Sequence, residues 1–121
     1  MGTTGLGKRG EQLAERFLRR KGYRILARNY RCPCGEIDLV ARDGDTLVFV
    51  EIKGRSGGRF GSPLEAVTVR KQERMAVVAR HFLSSCRIYQ SPARFDVIGI
   101  RWRGGAGAEC VLVRDAFRLT H

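Results

Sequence analysis

Three ionisable side chains interrupt two otherwise apolar stretches in the middle of the chain. Asp38 lies in the stretch 36–42, and Glu51 and Lys53 end the stretch 46–53. Both stretches have the composition of β-strands, and the Asp-Gly-Asp sequence between them is typical of a hairpin turn. The sequence therefore predicts a hairpin that carries two carboxylates and a lysine.

The register of this hairpin decides which side chains meet. A two-residue loop would pair Arg42 with Asp45, which places Asp38 diagonal to Glu51. A four-residue loop would pair Arg42 with Leu47, which places the two acids directly opposite each other. Both registers put the acids and the lysine on one face of the sheet, and only an unbulged three-residue loop would separate them.

Two carboxylates a few ångströms apart repel each other, and burial raises the cost of their charges. A divalent cation removes that repulsion, and a set of oxygen ligands favours Mg²⁺ or Mn²⁺ over zinc. Such a metal binds a phosphate oxygen and lowers the pKa of a bound water, and a neighbouring lysine can stabilise developing charge. The alternative is a cross-strand salt bridge on a solvated sheet face, and the strands alone leave both interpretations open.

The first helix supplies a further acid. Apolar residues at positions 13, 14, 17 and 18 recur at helical spacing, and Glu11 lies beside Leu18 at the rim of their arc. Gly7 and Gly10 fall on the same side, where a missing side chain permits close approach to the sheet. We therefore predict that Glu11 points along the sheet face; the alternative is a charge favoured by the helix dipole.

The elements that would position these residues alternate between helix and strand. After a flexible segment of residues 1–6, the pattern predicts one α/β domain over residues 7–121. Its predicted elements are a helix from Gly7 that Gly22 stops, a strand at 23–31, the hairpin, a glycine-rich loop at 54–62, a helix from about Leu64 or Thr68 to Leu83, a strand at 94–100 and a short strand at 110–113.

The charge of the chain indicates a polyanionic partner. Its 121 residues include 23 Lys+Arg and 12 Asp+Glu, for a net charge of +11, and only four of the cations are lysines. The guanidinium fork matches phosphate geometry, which indicates nucleic acid as the partner; the alternative is that GC-rich coding has replaced lysine by arginine without a functional reason. The predicted phosphate contacts, in the glycine-rich loop and at the start of the second helix, are Arg55, Arg59, Arg70, Lys71 and Arg74.

Membrane and thiol functions are the less favoured classes. No apolar run approaches the ~20 residues of a membrane span, and the N-terminus lacks an apolar signal core, so we expect a cytoplasmic protein. Cys32-Pro33-Cys34 with the distant Cys86 and Cys110 matches no common zinc spacing. A small zinc or thiol protein is therefore the weakest of three hypotheses. Asp96 either pairs with an arginine and braces the sheet, which is the favoured role, or supports a metal ligand.

Several motifs, in this order, resemble the bacterial YraN family. They are Gly10-Glu11, Gly22-Tyr23, Asn29-Tyr30-Arg31, Gly35-Glu36-Ile37-Asp38-Leu39-Val40, Val48-Phe49-Val50-Glu51-Ile52-Lys53-Gly54-Arg55, Phe60-Gly61-Ser62-Pro63 and Arg94-Phe95-Asp96-Val97. That family is similar to Holliday junction resolvases within the PD-(D/E)xK nuclease superfamily. The resemblance implies a single-domain restriction-endonuclease-like α/β fold, with a mixed central sheet flanked by helices.

The same resemblance implies the roles of the site residues. Asp38 and Glu51 match the metal ligands, Lys53 matches the catalytic lysine, and Glu11 matches the acid of helix one as a further catalytic and ligating group. Two departures stand out: the Pro-Asp dipeptide of the superfamily is absent, and Ala76 replaces the tyrosine that some relatives carry four residues after a glutamine.

The leading hypothesis is a Mg²⁺- or Mn²⁺-dependent endonuclease that hydrolyses phosphodiester bonds of DNA, with branched DNA as the structure-specific substrate. The alternative is a non-catalytic nucleic-acid-binding or assembly protein on a nuclease scaffold. Symmetric cleavage of a junction needs two sites, so the analogy with resolvases also predicts a homodimer.

Overall fold

A computed structural model of the protein describes residues 7–56, 67–88, 90–103 and 107–118, with the side chains of residues 55 and 56 excepted. The elements in chain order are α1 (Gly7–Arg20), β1 (Arg24–Cys32), β2 (Gly35–Asp43), β3 (Thr46–Ser56), α2 (Val69–Ser85), β4 (Ala93–Trp102) and β5 (Ala108–Phe117). The predicted flexible segment of residues 1–6 and the predicted loop residue Arg59 lie outside the described residues.

The five strands form one mixed sheet in the order β1-β2-β3-β4-β5. The β3–β4 pair is parallel and the other three pairs are antiparallel. Parallel neighbours need a crossover connection, and α2 lies in the chain segment that provides it. The predicted fold is confirmed: one small α/β domain with a mixed sheet and two helices, consistent with a restriction-endonuclease-like fold.

The two faces of the sheet bury different helices because side chains alternate along each strand. On β3, Val48, Val50 and Ile52 pack with Ala14 and Leu18 of α1. Leu47 and Phe49 point the other way and pack with α2 residues that include Met75, Val78 and Phe82. All of these side chains are buried, so each face of the sheet has its own apolar core.

Several element boundaries differ from those predicted, and β3 runs on to Ser56, into the predicted loop at 54–62. Helix α2 begins at Val69, where the side chain of Thr68 caps it by accepting a hydrogen bond from Lys71 N at 3.2 Å. Strand β5 is longer than the predicted 110–113, because Asp115 adopts a positive φ of 53° at an irregularity in the β4–β5 pairing. The strand thus continues past Val113, through the polar residues Arg114 and Asp115, to Phe117.

The described part of the chain contains no helix that is both long enough and apolar enough to cross a membrane.

Candidate active site

The β2–β3 hairpin adopts the second of the two predicted registers. Arg42 pairs with Leu47, and a tight turn with Gly44 at φ +61° closes the hairpin. The regular pairing runs as far as Leu39 opposite Val50. Asp38 and Glu51 are therefore the next residues along the two strands, at the end of the hairpin away from its turn.

The side chain of Asp38 makes a hydrogen bond across the boundary between β2 and β3. Its Oδ2 accepts a hydrogen bond from the backbone N–H of Ile52 at 2.8 Å. This bond fixes one oxygen of the carboxylate against β3, directly beside Glu51 in the sequence. The carboxylate is thereby held by the backbone of the strand that supplies the second acid.

Helix α2 closes a small cavity over these acids. The cavity has a volume of about 180 Å³, and its lining residues are Gly35, Glu36, Asp38, Glu51, Lys71, Arg74 and Met75. The helix lies close because Gly35 has no side chain: a Cβ there would be 3.2 Å from Val78 Cγ2. Met75 is buried against the sheet, so Lys71, one turn earlier on the same helix face, reaches the cavity.

The two acids raise the cost of each other's charge. Glu51 is only 4% exposed. Burial, and then repulsion by Glu51, raise the pKa of Asp38 to about 7, although the Ile52 N–H opposes this shift. A carboxyl group that titrates near neutrality is the signature of a site whose negative charge lacks full compensation.

Two lysines partly compensate the negative charge of these acids. Oε2 of Glu51 lies 2.8 Å from Nζ of Lys71 and 3.4 Å from Nζ of Lys53. Burial, the largest single effect, lowers the pKa of Lys71, but the hydrogen bond to Glu51 and the charges of Glu51 and Asp38 together outweigh it, and the pKa is raised. The cavity thus holds a pair of carboxylates, and the ammonium groups of Lys71, which lines the cavity, and of Lys53 beside it lie at one of their oxygens.

Glu36 adds a carboxylate oxygen that has no partner among the described residues. Its Oε2 is buried and accepts no hydrogen bond from them, while Oε1 lies 3.4 Å from Nε of Arg31. Buried polar atoms of this kind are rare, because the lost hydration is not replaced. An unsatisfied carboxylate oxygen on a residue that lines the cavity fits a site that takes a cation.

The donor set suits one class of metal. No three His, Cys, Asp or Glu side chains within the described ranges are grouped closely enough to hold a metal by themselves. Mg²⁺ and Mn²⁺ do not need such a cage, since they commonly use one or two carboxylates and complete their coordination with water and substrate phosphate. Asp38 and Glu51 therefore fit a site of this open kind, with Glu36 beside them.

The structure brings together some of the predicted site residues. Asp38, Glu51 and Lys53 lie at one end of the hairpin, and Lys71 and Arg74 line the same cavity. Arg70 is exposed in the first turn of α2, whereas the side chain of Arg55 and all of Arg59 lie outside the described residues.

Glu11 is not brought into this cavity. It is half-buried on α1, and α1 packs Ala14 and Leu18 against the face of the sheet opposite to α2. Glu11 is absent from the lining of the cavity. The helical periodicity placed Glu11 at the rim of the apolar arc, but it could not tell which face of the sheet that arc would cover.

Sequence reasoning missed two features of the cavity. Glu36 shares its strand face with Asp38, and this period-two relation was the available signal for a third acid. Lys71 was predicted to contact phosphate only, yet it forms the shortest ion pair of Glu51. Its position four residues before the buried Met75 indicated the inward face of the helix.

The protein is similar over most of its length to one family. The model of the uncharacterised protein family UPF0102 matches residues 10–100. The chain belongs to this family. The recognition of the YraN family is thereby confirmed.

Relatives in UPF0102 match nearly from end to end. A UPF0102 protein of Syntrophus aciditrophicus is 45% identical over 115 residues, which cover 95% of this chain and 90% of the relative. One from Symbiobacterium thermophilum is 47% identical over 112 residues, covering 93% and 95%. Among solved structures, Pyrococcus furiosus SfsA in complex with Ca²⁺ is 13% identical, with a TM-score of 0.37 over 87% of this chain and 61% of that chain.

A second buried acid lies on the face of the sheet that α1 covers. Asp96 is 0% exposed, and its two oxygens accept hydrogen bonds from Tyr23 Oη at 2.6 Å, Arg94 Nε at 3.0 Å and Asp115 N at 2.9 Å. Burial, and then the bond to Asp96, raise the pKa of Tyr23 to about 12. Arg94 is the arginine partner expected for Asp96, and it also donates to Asp43 at 2.8 Å.

The four cysteines are free. Cys32 and Cys110 are half-buried, and Cys34 and Cys86 are exposed. Since no cluster of metal-binding side chains includes them within the described ranges, the zinc hypothesis gains no support from their placement.

Proposed function

We propose that this protein is a Mg²⁺- or Mn²⁺-dependent nuclease that hydrolyses phosphodiester bonds of nucleic acid, with DNA as its substrate. The observation that carries the proposal is the pair Asp38 and Glu51, which line one cavity beneath α2, Asp38 half-buried and Glu51 buried, with lysines beside Glu51. A strongly basic chain that places two neighbouring acids in one cavity fits a metal site surrounded by phosphate contacts.

Each residue of the cavity has a role in this proposal. Asp38 and Glu51 would hold the metal, with the Ile52 N–H fixing the orientation of Asp38. When bound, the metal would supply an activated water and charge stabilisation at the phosphate. Lys53, at the end of β3, would hold the attacking water or donate to the developing negative charge.

The surroundings of the cavity support a phosphate-bearing substrate. Arg74 lines the cavity, and Arg70 is exposed in the first turn of α2. Such cations position a nucleic-acid backbone without selecting a sequence, so recognition would depend on the shape of the DNA. Branched DNA and a homodimer that makes two symmetric cuts are the finer form of the proposal.

The test is a cleavage assay with linear, flapped and four-way DNA over a range of Mg²⁺ and Mn²⁺ concentrations. Glu51→Gln should lower the rate by at least about 100-fold, since it removes a ligand that acts on the reacting phosphate. Glu73→Gln on the exposed side of α2 is the matched control and should cleave like the parent. Equal rates for the parent and Glu51→Gln would contradict the site assignment.

The second candidate is a nucleic-acid-binding protein without catalysis. The ion pair of Lys71 with Glu51 favours it, because this pair compensates the buried charge with no metal. This candidate predicts salt-sensitive DNA binding that survives the combined Asp38→Asn and Glu51→Gln substitutions. It also predicts no cleavage product at any metal concentration, so the same assay separates the two candidates.

A further inference from the structure

Two lysines place their ammonium groups on a single oxygen of Glu51. Nζ of Lys71 is 2.8 Å from Oε2, and Nζ of Lys53 is 3.4 Å from the same atom. Lys71 comes from α2 and Lys53 from β3, so the two cations approach from different elements. The Glu51 side chain is 5% exposed, and its charge is therefore compensated mainly by these contacts.

The position of Lys71 in α2 is unfavourable for a cation. Thr68 is the N-cap, so Lys71 is the third residue of the helix, and the first turn contains no acid. The positive end of the helix dipole disfavours a lysine there. The close ion pair with Glu51 offsets this cost, which indicates that Lys71 is held in the cavity by the acid and not by the helix.

The side chain of Lys71 can leave Glu51, whereas its backbone is fixed in the helix. Its backbone N–H donates to the Thr68 hydroxyl at 3.2 Å, which ties the main chain to the helix cap. The side chain is one-third exposed, and its four-carbon stem allows the ammonium group to move to solvent without moving α2.

We propose that Lys71 is the resident counter-cation of Glu51, and that its ammonium group competes with divalent cations for this carboxylate. The inference rests on the proposed metal site. A carboxylate oxygen that binds Mg²⁺ at about 2.1 Å would hold two positive charges in contact if Lys71 stayed at its ion-pair distance. Binding of the metal at Oε2 therefore requires displacement of Lys71, and the apparent metal affinity of the parent is lowered by the strength of the pair.

The experiment measures Mn²⁺ binding to the full chain by electron paramagnetic resonance of the free ion, in the absence of DNA. Lys71→Met keeps an unbranched side chain, one atom shorter, and removes its charge, and it should raise Mn²⁺ affinity by at least about fivefold. Arg70→Met is the matched control, because it removes one positive charge from the adjacent position without touching Glu51. It should change the affinity by less than about twofold, since exposed charges are screened.

Equal Mn²⁺ affinity in the parent and Lys71→Met would overturn the inference, and so would an equal gain in Arg70→Met, which would show a general field effect. Binding that is detectable only in Lys71→Met supports it, and binding in neither protein overturns it. A failure of the proposed nuclease activity can be distinguished from a failure of this inference. If Lys71→Met binds Mn²⁺ more tightly but neither protein cleaves DNA at saturating metal, the counter-cation role stands and the nuclease proposal falls.

Discussion

The protein buries acids on both faces of its sheet, and the two groups are built differently. Asp96, beneath α1, accepts four hydrogen bonds, two of them from its ion-pair partner Arg94. Asp38 and Glu51, beneath α2, repel each other beside a cavity, and Glu36 there keeps an oxygen without a partner among the described residues. Burial of an acid alone therefore does not distinguish the two groups; the degree to which its charge is compensated does.

The largest expected effect concerns the compensated acid. Asp96→Ala should lower the free energy of unfolding by about 3–5 kcal/mol, because it leaves the Arg94 charge and the Asp115 N–H without their buried partner. Equilibrium unfolding in urea measures this loss. A loss below about 1 kcal/mol would mean that the Asp96 network does not brace the sheet, and the contrast between the two faces would fail.

Removing a charge beneath α2 is expected to change the free energy of unfolding in the opposite direction. In metal-free protein above pH 7, Asp38→Asn should raise the free energy of unfolding by about 2 kcal/mol, since it removes a poorly compensated buried charge. The amide oxygen of asparagine can still accept the hydrogen bond from Ile52. Urea unfolding in the presence of EDTA provides the measurement, and a variant less stable than the parent at pH 8 would contradict the description of the site.

The pH dependence of that difference follows from the sign of the shift. The pKa of Asp38 is raised from 3.8 to about 7 in the folded chain, so between these values the folded state holds a proton that the unfolded state has released. Stability contributed by this group is present below about pH 4 and is lost as pH rises toward 7. The difference in free energy of unfolding between Asp38→Asn and the parent should therefore be small at pH 4 and increase up to pH 7.

Much of the site was predictable because strands and hairpins are local. The period-two alternation placed Asp38, Glu51 and Lys53 on one face in either register. It could not choose between the registers, because the Asp-Gly-Asp turn admits both. The pairing of Arg42 with Leu47 is therefore something that only the structure provides.

The remainder depends on contacts between distant parts of the chain. The pattern of α1 defined its apolar arc but not the face of the sheet it covers, and this separates Glu11 from the cavity. Likewise, Tyr23 and Asp96 are 73 residues apart in the sequence, and no local signal joins them. The ion pair of Lys71 with Glu51 arises from the packing of α2 over Gly35, which is also a tertiary contact.

The most direct test of the account is the stoichiometry of Mn²⁺ binding in three proteins: the parent, Glu51→Gln and Asp96→Asn. We predict one Mn²⁺ per chain in the parent and in folded Asp96→Asn, with the ion lost from Glu51→Gln, because the acids beneath α2 keep charge that a cation can share, whereas Asp96 is paired with Arg94. Undiminished binding in Glu51→Gln, or loss of binding in folded Asp96→Asn alone, would contradict it.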